Sequence, residues 1–244
     1  MTTEELISNQ VIFPASKIKE IDLRIEAQIH TDWTDGANSI YEMQSAAQEK
    51  NLRVLVFSEH TSFGSGSWYS SFVTEIRSLP ISDLDIYIGT EVKIKDFSGA
   101  LDLDWDVERL TQIVLASVHR FPDMNGQPID FSDTDTSVDV CDTELRLMTA
   151  AIKRKRPHII AHPFGMSLAR FHREPSEQQW DDLINVAIEH EVALEFNYKY
   201  HKDNFGILMR YMKSDCLITI GSDAHSKNEV GNCSSKIIEF LGLK

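Results

Sequence analysis

The feature that most constrains this chain is a series of seven short apolar and β-branched runs, separated by stretches with helical periodicity. The runs cover residues 24–30, 53–60, 85–94, 112–119, 158–163, 193–197 and 217–225. Amphipathic helical patterns lie at residues 39–51, 143–155 and 176–191. Strands that alternate with helices pair in parallel, and nearly continuous apolar strands are covered on both faces. We therefore predict an α/β fold, a distorted seven-stranded (β/α)7 barrel that is TIM-barrel-like.

Each of the seven runs ends with a type of residue that binds metal ions. In chain order these residues are His30, His60, Glu91, His119, His162, Glu195 and the pair Asp223 and His225. A single histidine at a strand end is more often a hydrogen-bonded structural residue than a ligand. The carboxyl ends of the strands in a parallel barrel converge on one rim, however, and active sites of such folds lie there. The strand ends together therefore predict one metal-binding cluster at this rim.

Composition restricts the partners and the location of the protein. The 244-residue chain has a formal net charge of -14, which disfavours nucleic acid as a partner because phosphate backbones bind basic surfaces. No window approaches the roughly 20 apolar residues of a membrane span, and the acidic N-terminus shows no export signal. Three widely spaced cysteines argue against a disulfide framework. We therefore expect a cytoplasmic protein without a membrane partner, and the oligomeric state is left open.

The first strand ends in the stretch AQIHTDWTDG, residues 27–36, which supplies His30 and Asp35. A second histidine two residues before His30 would complete an H-x-H pair, but Gln28 occupies that position. The stretch alone is compatible with a metal site that has lost a ligand, with one rebuilt around a different ligand, and with a polar turn.

With all motifs in order, the sequence resembles the polymerase and histidinol phosphatase (PHP) family. The hallmarks of this family are H-x-H followed by S/T-D-G, then D-H, G-x-E, V-H, A-H-P and S-D-A-H. The corresponding segments here read QIHTDWTDG, SEH, GTEVK, ASVHR, AHPFG and GSDAH. The resemblance spans residues 24–225 and implies a distorted seven-stranded barrel with up to three divalent metals at the rim. Most members are phosphoesterases, so it implies that activity as well.

The resemblance also implies roles for individual rim residues. The first metal would be held by Gln28, His30, Glu91 and Asp223. The second would be held by Glu91, as a carboxylate that bridges two metals, with His119 and His162. The third would be held by Asp35, His60 and His225. Glu195 is a further candidate that either binds metal or supports the ligands.

The chemistry of phosphoester hydrolysis suits such a set of ligands. Mixed imidazole and carboxylate ligands fit Zn, Mn or Fe and do not distinguish among them. Two metals about 3.5 to 4 Å apart can hold a hydroxide and both polar ends of a displacement at phosphorus. We therefore expect two to three divalent metal ions, a metal-bridging hydroxide, and Glu91, His119 and Asp223 as catalytic residues. The amide of Gln28 is a weaker ligand than imidazole, so the first metal should be held less tightly.

Four basic residues near the rim are candidates for binding a substrate phosphate. Lys93 lies two residues after Glu91 and therefore shares its side of the strand. Arg120 directly follows the fourth strand, and Arg170 and Arg173 follow the AHPFG strand in a loop. Arginines on this rim suit bidentate phosphate recognition, although a basic side chain that only reaches solvent is equally common.

The leading hypothesis is a metal-dependent phosphatase whose partner is a small phosphorylated metabolite. The acidic composition and the segment SVHRFPD, which resembles the histidinol-phosphatase branch, favour it. A phosphodiesterase or nuclease of the same family is the first alternative. A metal-binding domain without catalysis is the second, because Gln28 replaces a family histidine. We expect one domain over residues 1–244, with an N-terminal extension at 1–22 and a C-terminal helix at 226–244.

Overall fold

The computed structural model describes residues 1–123, 129, 139–154, 157–202 and 204–243. Within these ranges the backbone forms an eight-stranded sheet. The strands are β1 (Phe13–Pro14), β2 (Ile25–Ile29), β3 (Val54–Thr61), β4 (Asp85–Lys93), β5 (Ile113–Ser117), β6 (Ile159–Ile160), β7 (Ala193–Asn197) and β8 (Leu217–Gly221). Strands β2 to β8 fall within the seven predicted runs, apart from small shifts at their ends.

The sheet curls so that its seven parallel strands follow one another in chain order. Each strand from β2 to β7 pairs in parallel with the next one. The first and last of these parallel strands, β2 and β8, are joined at their carboxyl ends, where Ile29 forms a parallel bridge with Ala224. Two backbone hydrogen bonds join them: His30 N donates to the Ala224 carbonyl at 2.9 Å, and Ala224 N donates to the Gln28 carbonyl at 3.1 Å. The predicted TIM-barrel-like architecture is confirmed.

The N-terminal residues add an eighth strand that the sequence did not predict. Strand β1 runs antiparallel to β8, with Phe13 opposite Ile218. The hydroxyl of Thr219 in β8 also donates a hydrogen bond to the Val11 carbonyl at 2.6 Å. The fully buried apolar residues of this segment include Leu6, Val11, Ile12, Phe13 and Ile18. Residues 1–22, expected as an extension, therefore contribute to the hydrophobic core.

The helices lie on the outside of the sheet. They are α1 (Thr3–Ser8), α2 (Ile40–Glu49), α3 (Gly66–Arg77), α4 (Trp105–Glu108), α5 (Val140–Lys153), α6 (Glu177–His190), α7 (Tyr198–His201), α8 (Phe205–Met212) and α9 (Asn232–Leu241). A 3-10 helix covers Ala15–Glu20, and a π-helix covers Met166–Arg170. None of the helices in the described ranges has the length and apolar character needed to cross a membrane.

Helix boundaries agree with the sequence signals in most places. Helices α2, α5 and α6 occupy the three predicted amphipathic stretches. Ser176 and Gln179 form the capping box at the start of α6, where each side chain bonds the backbone N–H of the other. The C-terminal helix begins at Asn232 rather than at residue 226, because Gly231 takes a left-handed conformation with φ 72° just before it.

The strands carry polar side chains toward the interior of the barrel. Residues two apart on a strand face the same side, so Gln28 shares the side of His30, and both are fully buried. Asn197 likewise shares the side of Glu195, and both are fully buried. Below the rim, the interior is therefore lined by polar groups that hydrogen-bond one another.

Candidate metal centre

Glu91 lies at the centre of the rim and is surrounded by four imidazoles. Its Oε2 lies 3.3 Å from His30 Nε2 and 3.1 Å from His60 Nδ1. Its Oε1 lies 3.0 Å from His119 Nε2 and 2.9 Å from His162 Nε2. The five side chains come from the ends of β2 to β6, so the convergence of parallel strands places them together.

A first group of donor atoms, from His30, Glu91 and Asp223, is buried. His30 Nε2 lies 3.2 Å from Asp223 Oδ1 as well as near Glu91. Burial works to lower the pKa of His30, but Asp223 and Glu91 outweigh it and raise the pKa to about 10. Burial works to raise the pKa of Asp223, and His30 outweighs it, so that this pKa falls to about 2. The group therefore favours a positive charge at the imidazole nitrogen, which a proton or a metal ion can supply.

A second group gathers around Asp35 on the more open side of the rim. Asp35 Oδ2 lies 3.4 Å from His60 Nε2 and 3.3 Å from His225 Nε2, and His30 belongs to the same group. His225 Nδ1 donates a hydrogen bond to the Asp223 carbonyl at 2.8 Å. This bond fixes the tautomer of His225 and leaves the lone pair of Nε2 free to bind a cation.

The loop after β2 holds Asp35 in this position. The buried Glu59 carboxylate accepts hydrogen bonds from Thr31, from both the backbone N and the hydroxyl, each at 2.7 Å. A side chain at position 36 would place its Cβ 2.3 Å from the His30 carbonyl oxygen, so only Gly36 allows the chain to approach so closely. The loop is thereby folded back on the strand end.

A third group consists of donor atoms from His60, Glu91 and His119. His162 approaches the same Glu91 oxygen as His119, and the two imidazole rings stack at 5.4 Å. Burial works to lower the pKa of His162, but Glu91 outweighs it and raises the pKa to about 9. His60, which the sequence assigned to the Asp35 set alone, stands between two groups because its two ring nitrogens face Asp35 and Glu91.

Gln28 and Glu195 lie below the ligand groups, and each accepts a hydrogen bond from Asn197. Gln28 Oε1 accepts a hydrogen bond from Asn197 Nδ2 at 3.2 Å, while Gln28 Nε2 has no partner among the described residues. Glu195 Oε2 accepts from His162 N at 2.7 Å and from Asn197 Nδ2 at 3.1 Å. Burial raises the pKa of Glu195 to about 8. Both residues act here as hydrogen-bonding supports of the rim.

The four basic residues predicted to bind phosphate differ in exposure. Lys93 and Arg120 are partly buried, and the exposed Arg170 places its guanidinium 5.8 Å from the centroid of the Phe171 ring. Arg173 is exposed. Within the ranges that the structure covers, none of the four forms an ion pair with a carboxylate of the cluster.

Two residues of α7 that the sequence analysis missed contact the cluster directly. Lys199 Nζ lies 2.8 Å from Asp223 Oδ2. The Tyr200 ring stacks on His162 with 4.4 Å between centroids. Both residues follow β7 within three positions, so the rule that strand ends face the rim could have identified them.

The spacing of these donor atoms fits divalent metal ions. Atoms bound to a metal at about 2.0 to 2.2 Å lie roughly 2.8 to 3.6 Å from one another in octahedral or tetrahedral geometry. The nitrogen-to-oxygen distances around Glu91 and Asp35, from 2.9 to 3.4 Å, fall close to that range. His30 Nε2 and Glu91 Oε2 are also buried without a hydrogen-bond partner in the described part of the chain. A bound cation would satisfy both atoms.

Comparison with protein families agrees with this geometry. The family profile of the PHP domain matches residues 26–199. The chain belongs to the PHP family. The matched range holds the six predicted ligands from His30 to His162, whereas Asp223 and His225 lie beyond it. The family assignment made from the sequence motifs is therefore confirmed for most of the chain.

Curated relatives of this PHP chain include phosphatases and a polymerase. A "Probable phosphatase" of Caldicellulosiruptor bescii is 27% identical over 221 residues, which cover 86% of this chain and 83% of that protein. A "Probable phosphatase" of Vibrio atlanticus is 26% identical and covers 86% and 82%. The "DNA polymerase/3'-5' exonuclease PolX" of Bacillus subtilis is 26% identical over 82% of this chain but only 34% of its own length.

A solved structure shares the fold at lower sequence identity. It is the histidinol phosphate phosphatase of Lactococcus lactis subsp. lactis, complexed with zinc, L-histidinol and phosphate. The two chains are 14% identical, and the TM-score is 0.58 over 90% of this chain and 94% of that one. The likeness supports the barrel architecture of the PHP fold.

Proposed function

We propose that this PHP protein is a metal-dependent phosphoesterase that hydrolyses a small phosphomonoester. One observation carries the proposal: imidazoles and carboxylates from the strand ends converge on Glu91 with the spacing of metal ligands. The relatives named as probable phosphatases and the zinc and phosphate in the Lactococcus lactis structure support it. The same set of residues would hold two to three divalent ions, from among Zn, Mn and Fe.

Particular residues would hold the metals. Glu91 is placed to bridge two ions because its oxygens face different histidines. His30 and Asp223 supply buried donors, and Asp35 and His225 supply donors on the open side. Divalent metals bound there would activate a water molecule and neutralise phosphate charge. No nucleophilic side chain is needed for this chemistry.

The side chains around the centre differ in exposure, and this difference suggests how a substrate enters. His30 and Glu91 have side-chain exposures of 0%. His60 is 30% exposed, and His119 and His225 are each 25% exposed. A phosphate group would therefore approach from the side of the exposed imidazoles. The buried residues would hold the charged metal ions beneath it and exclude water. The organic part of the ester would remain toward solvent or the neighbouring loops.

A phosphodiesterase or exonuclease is the second candidate, favoured by the similarity to the Bacillus subtilis polymerase and exonuclease. That match covers only 34% of the relative. The net charge of -14 also favours a small substrate over a long nucleic acid, because an acidic surface repels phosphate backbones. The monoester is therefore the better choice.

A substrate screen of metal-loaded protein tests the proposal. Purified protein would first be analysed for bound metal, then assayed with added Mn²⁺ or Zn²⁺ against histidinol phosphate, nucleoside monophosphates and sugar phosphates. A nitrophenyl phosphodiester and a short single-stranded DNA serve as comparisons. We expect the monoesters to be hydrolysed fastest. Faster cleavage of the diester or the DNA would favour the second candidate, and protein that binds no metal and cleaves no phosphoester would refute both.

A further inference from the structure

A lysine that belongs to none of the sequence motifs stands at the edge of the metal centre. Lys199 Nζ lies 2.8 Å from Asp223 Oδ2, and the lysine side chain is 45% exposed whereas that of Asp223 is 3% exposed. The other oxygen of Asp223, Oδ1, faces His30 Nε2 at 3.2 Å. Asp223 therefore directs one oxygen to the buried ligands and the other to an ammonium group that is open to solvent.

The position of Lys199 is fixed through the buried amide of Asn197. Asn197 Oδ1 accepts a hydrogen bond from Lys199 N at 3.0 Å. The Nδ2 of the same side chain donates to Gln28 Oε1 at 3.2 Å and to Glu195 Oε2 at 3.1 Å. Gln28 and Lys199 are therefore linked through Asn197, whose side chain caps the start of α7.

Lys199 has hydrogen-bonding capacity that Asp223 does not use. An ammonium group carries three donors, and Asp223 accepts from one of them. Lys199 Nζ also lies 3.5 Å from His225 Nδ1, at the partly exposed side of the centre. Any phosphate that binds beside His225 therefore comes within reach of the remaining donors.

Lys199 also lines a cavity of about 600 Å³, and none of the predicted metal ligands is among the residues that line it. Leu168 and Ala169 of the π-helix form one part of its lining, and Lys199 and Tyr200 of α7 form another. The volume is sufficient for a small organic molecule. The ammonium group therefore lies where the space for a phosphate and the space for the rest of an ester meet.

We propose that Lys199 binds the phosphoryl group of the substrate and is the protein's main cation for that group. The organic part of the ester lies in the adjoining cavity. This inference rests on the proposed phosphoesterase function. The four basic residues inferred from the sequence remain predictions. In the described ranges none of them is paired with a carboxylate of the cluster, whereas Lys199 is held against Asp223.

Three variants of the full-length protein test the role of Lys199. Lys199→Met keeps the length of the side chain and removes its charge, and Lys199→Arg restores a charge. Lys213→Met is the matched control, because Lys213 is exposed at the C-terminal end of α8 and is not among the residues that line this cavity. Each metal-loaded protein would be titrated with inorganic phosphate by calorimetry, its bound metal counted by mass spectrometry, and kcat and KM measured.

We expect Lys199→Met to weaken phosphate binding at least about tenfold, the effect of one lost charge-assisted hydrogen bond, with the metal content unchanged. Lys199→Arg should regain part of the affinity, and Lys213→Met should match the wild type. Unaltered phosphate binding in Lys199→Met would refute the inference alone. Loss of metal in that variant would also overturn it, because Lys199 would then only hold Asp223. A metal-loaded wild type without hydrolysis would instead refute the proposed function.

Discussion

Single side chains decide how much positive charge the metal centre can hold. Burial works to raise the pKa of Glu91, but His119 and the other surrounding imidazoles hold it well below its usual range. The carboxylate is therefore ionised, and it is the one negative group that contacts four of the histidines.

Replacement of Glu91 by Gln should abolish turnover while the fold persists. The amide keeps the shape of the side chain but lacks the charge that bridges the metals, so we expect kcat/KM to fall at least about a hundredfold and bound metal to decrease. Metal analysis, kinetics and thermal unfolding measure these effects. Glu189→Gln, on the exposed side of α6, is the control and should behave like the wild type. Near-normal turnover in Glu91→Gln would show that the bridging role is wrong.

Replacement of Gln28 by His should tighten the hold on metal in the buried group. The imidazole would add a nitrogen next to His30 and Asp223, and it would give up the bond from Asn197. We expect at least about tenfold slower loss of metal to a chelator, which is the range seen for changes near metal ligands. Gln28→Ala removes the same amide without adding a ligand and should show no gain. Equal metal retention in the wild type and in Gln28→His would contradict the inferred position of the first site.

At the scale of elements, the sequence predicts most where geometry converts chain position into spatial position. Parallel strands end on one rim, so His60, Glu91 and His119 could be brought together from strand ends alone. Strand β1 could not be predicted, because two residues carry no periodicity. Lys199 was missed because it belongs to none of the motifs, although it closely follows a strand end, and the orientation of Gln28 depends on a partner 169 positions away. Local patterns contain no information about such distant hydrogen bonds.

A buried carboxylate connects α5 to the π-helix near the rim. Glu144 accepts hydrogen bonds from Ser167 N at 2.8 Å, from the Ser167 hydroxyl at 2.6 Å and from Met166 N at 3.2 Å. These bonds satisfy the first N–H groups of the π-helix, which would otherwise lack partners. The residue also holds the segment that follows His162. Its role could not be predicted from the sequence, because it lies in an amphipathic helix among apolar residues.

Glu144 should make the protein less stable as the pH rises. Burial raises the pKa of its carboxyl from 4.5 to about 7, although the hydrogen bonds from Ser167 oppose this change. The folded state therefore binds the proton more tightly than the unfolded state, so the stabilisation is complete below about pH 4.5 and is lost as the pH passes about 7. The free energy of unfolding of the wild type relative to Glu144→Gln should fall by up to about 3 kcal/mol over that interval.

Urea unfolding of both proteins at several pH values measures this difference. Glu189→Gln serves as the control. The Glu189 side chain is exposed, so the free energy of unfolding of this variant should follow that of the wild type at each pH. Parallel curves for the wild type and Glu144→Gln would mean that the buried carboxyl does not titrate differently in the folded state.

At the scale of the whole molecule, the barrel depends on residues far outside its ring of parallel strands. Strand β8 has β7 on one side and β1 on the other, and the chain just after it joins β2 through Ala224. The β8 segment leads directly to Asp223, so the N-terminal residues that pack against β8 support a strand that carries a predicted metal ligand. The arrangement makes the first 22 residues part of the structure that positions the rim.

The N-terminal segment should therefore unfold together with the barrel. Leu6 in α1 is fully buried in the main hydrophobic cluster, whereas its neighbour Ile7 is 36% exposed. Leu6→Ala should lower the free energy of unfolding by about 2 to 5 kcal/mol, the cost of a large cavity in a core, and Ile7→Ala by less than about 1 kcal/mol. Urea unfolding followed by both helical signal and tryptophan fluorescence measures these changes. Equal small effects of the two substitutions, or a separate early transition for Leu6→Ala, would show that the segment is only attached to the barrel and does not stabilise it.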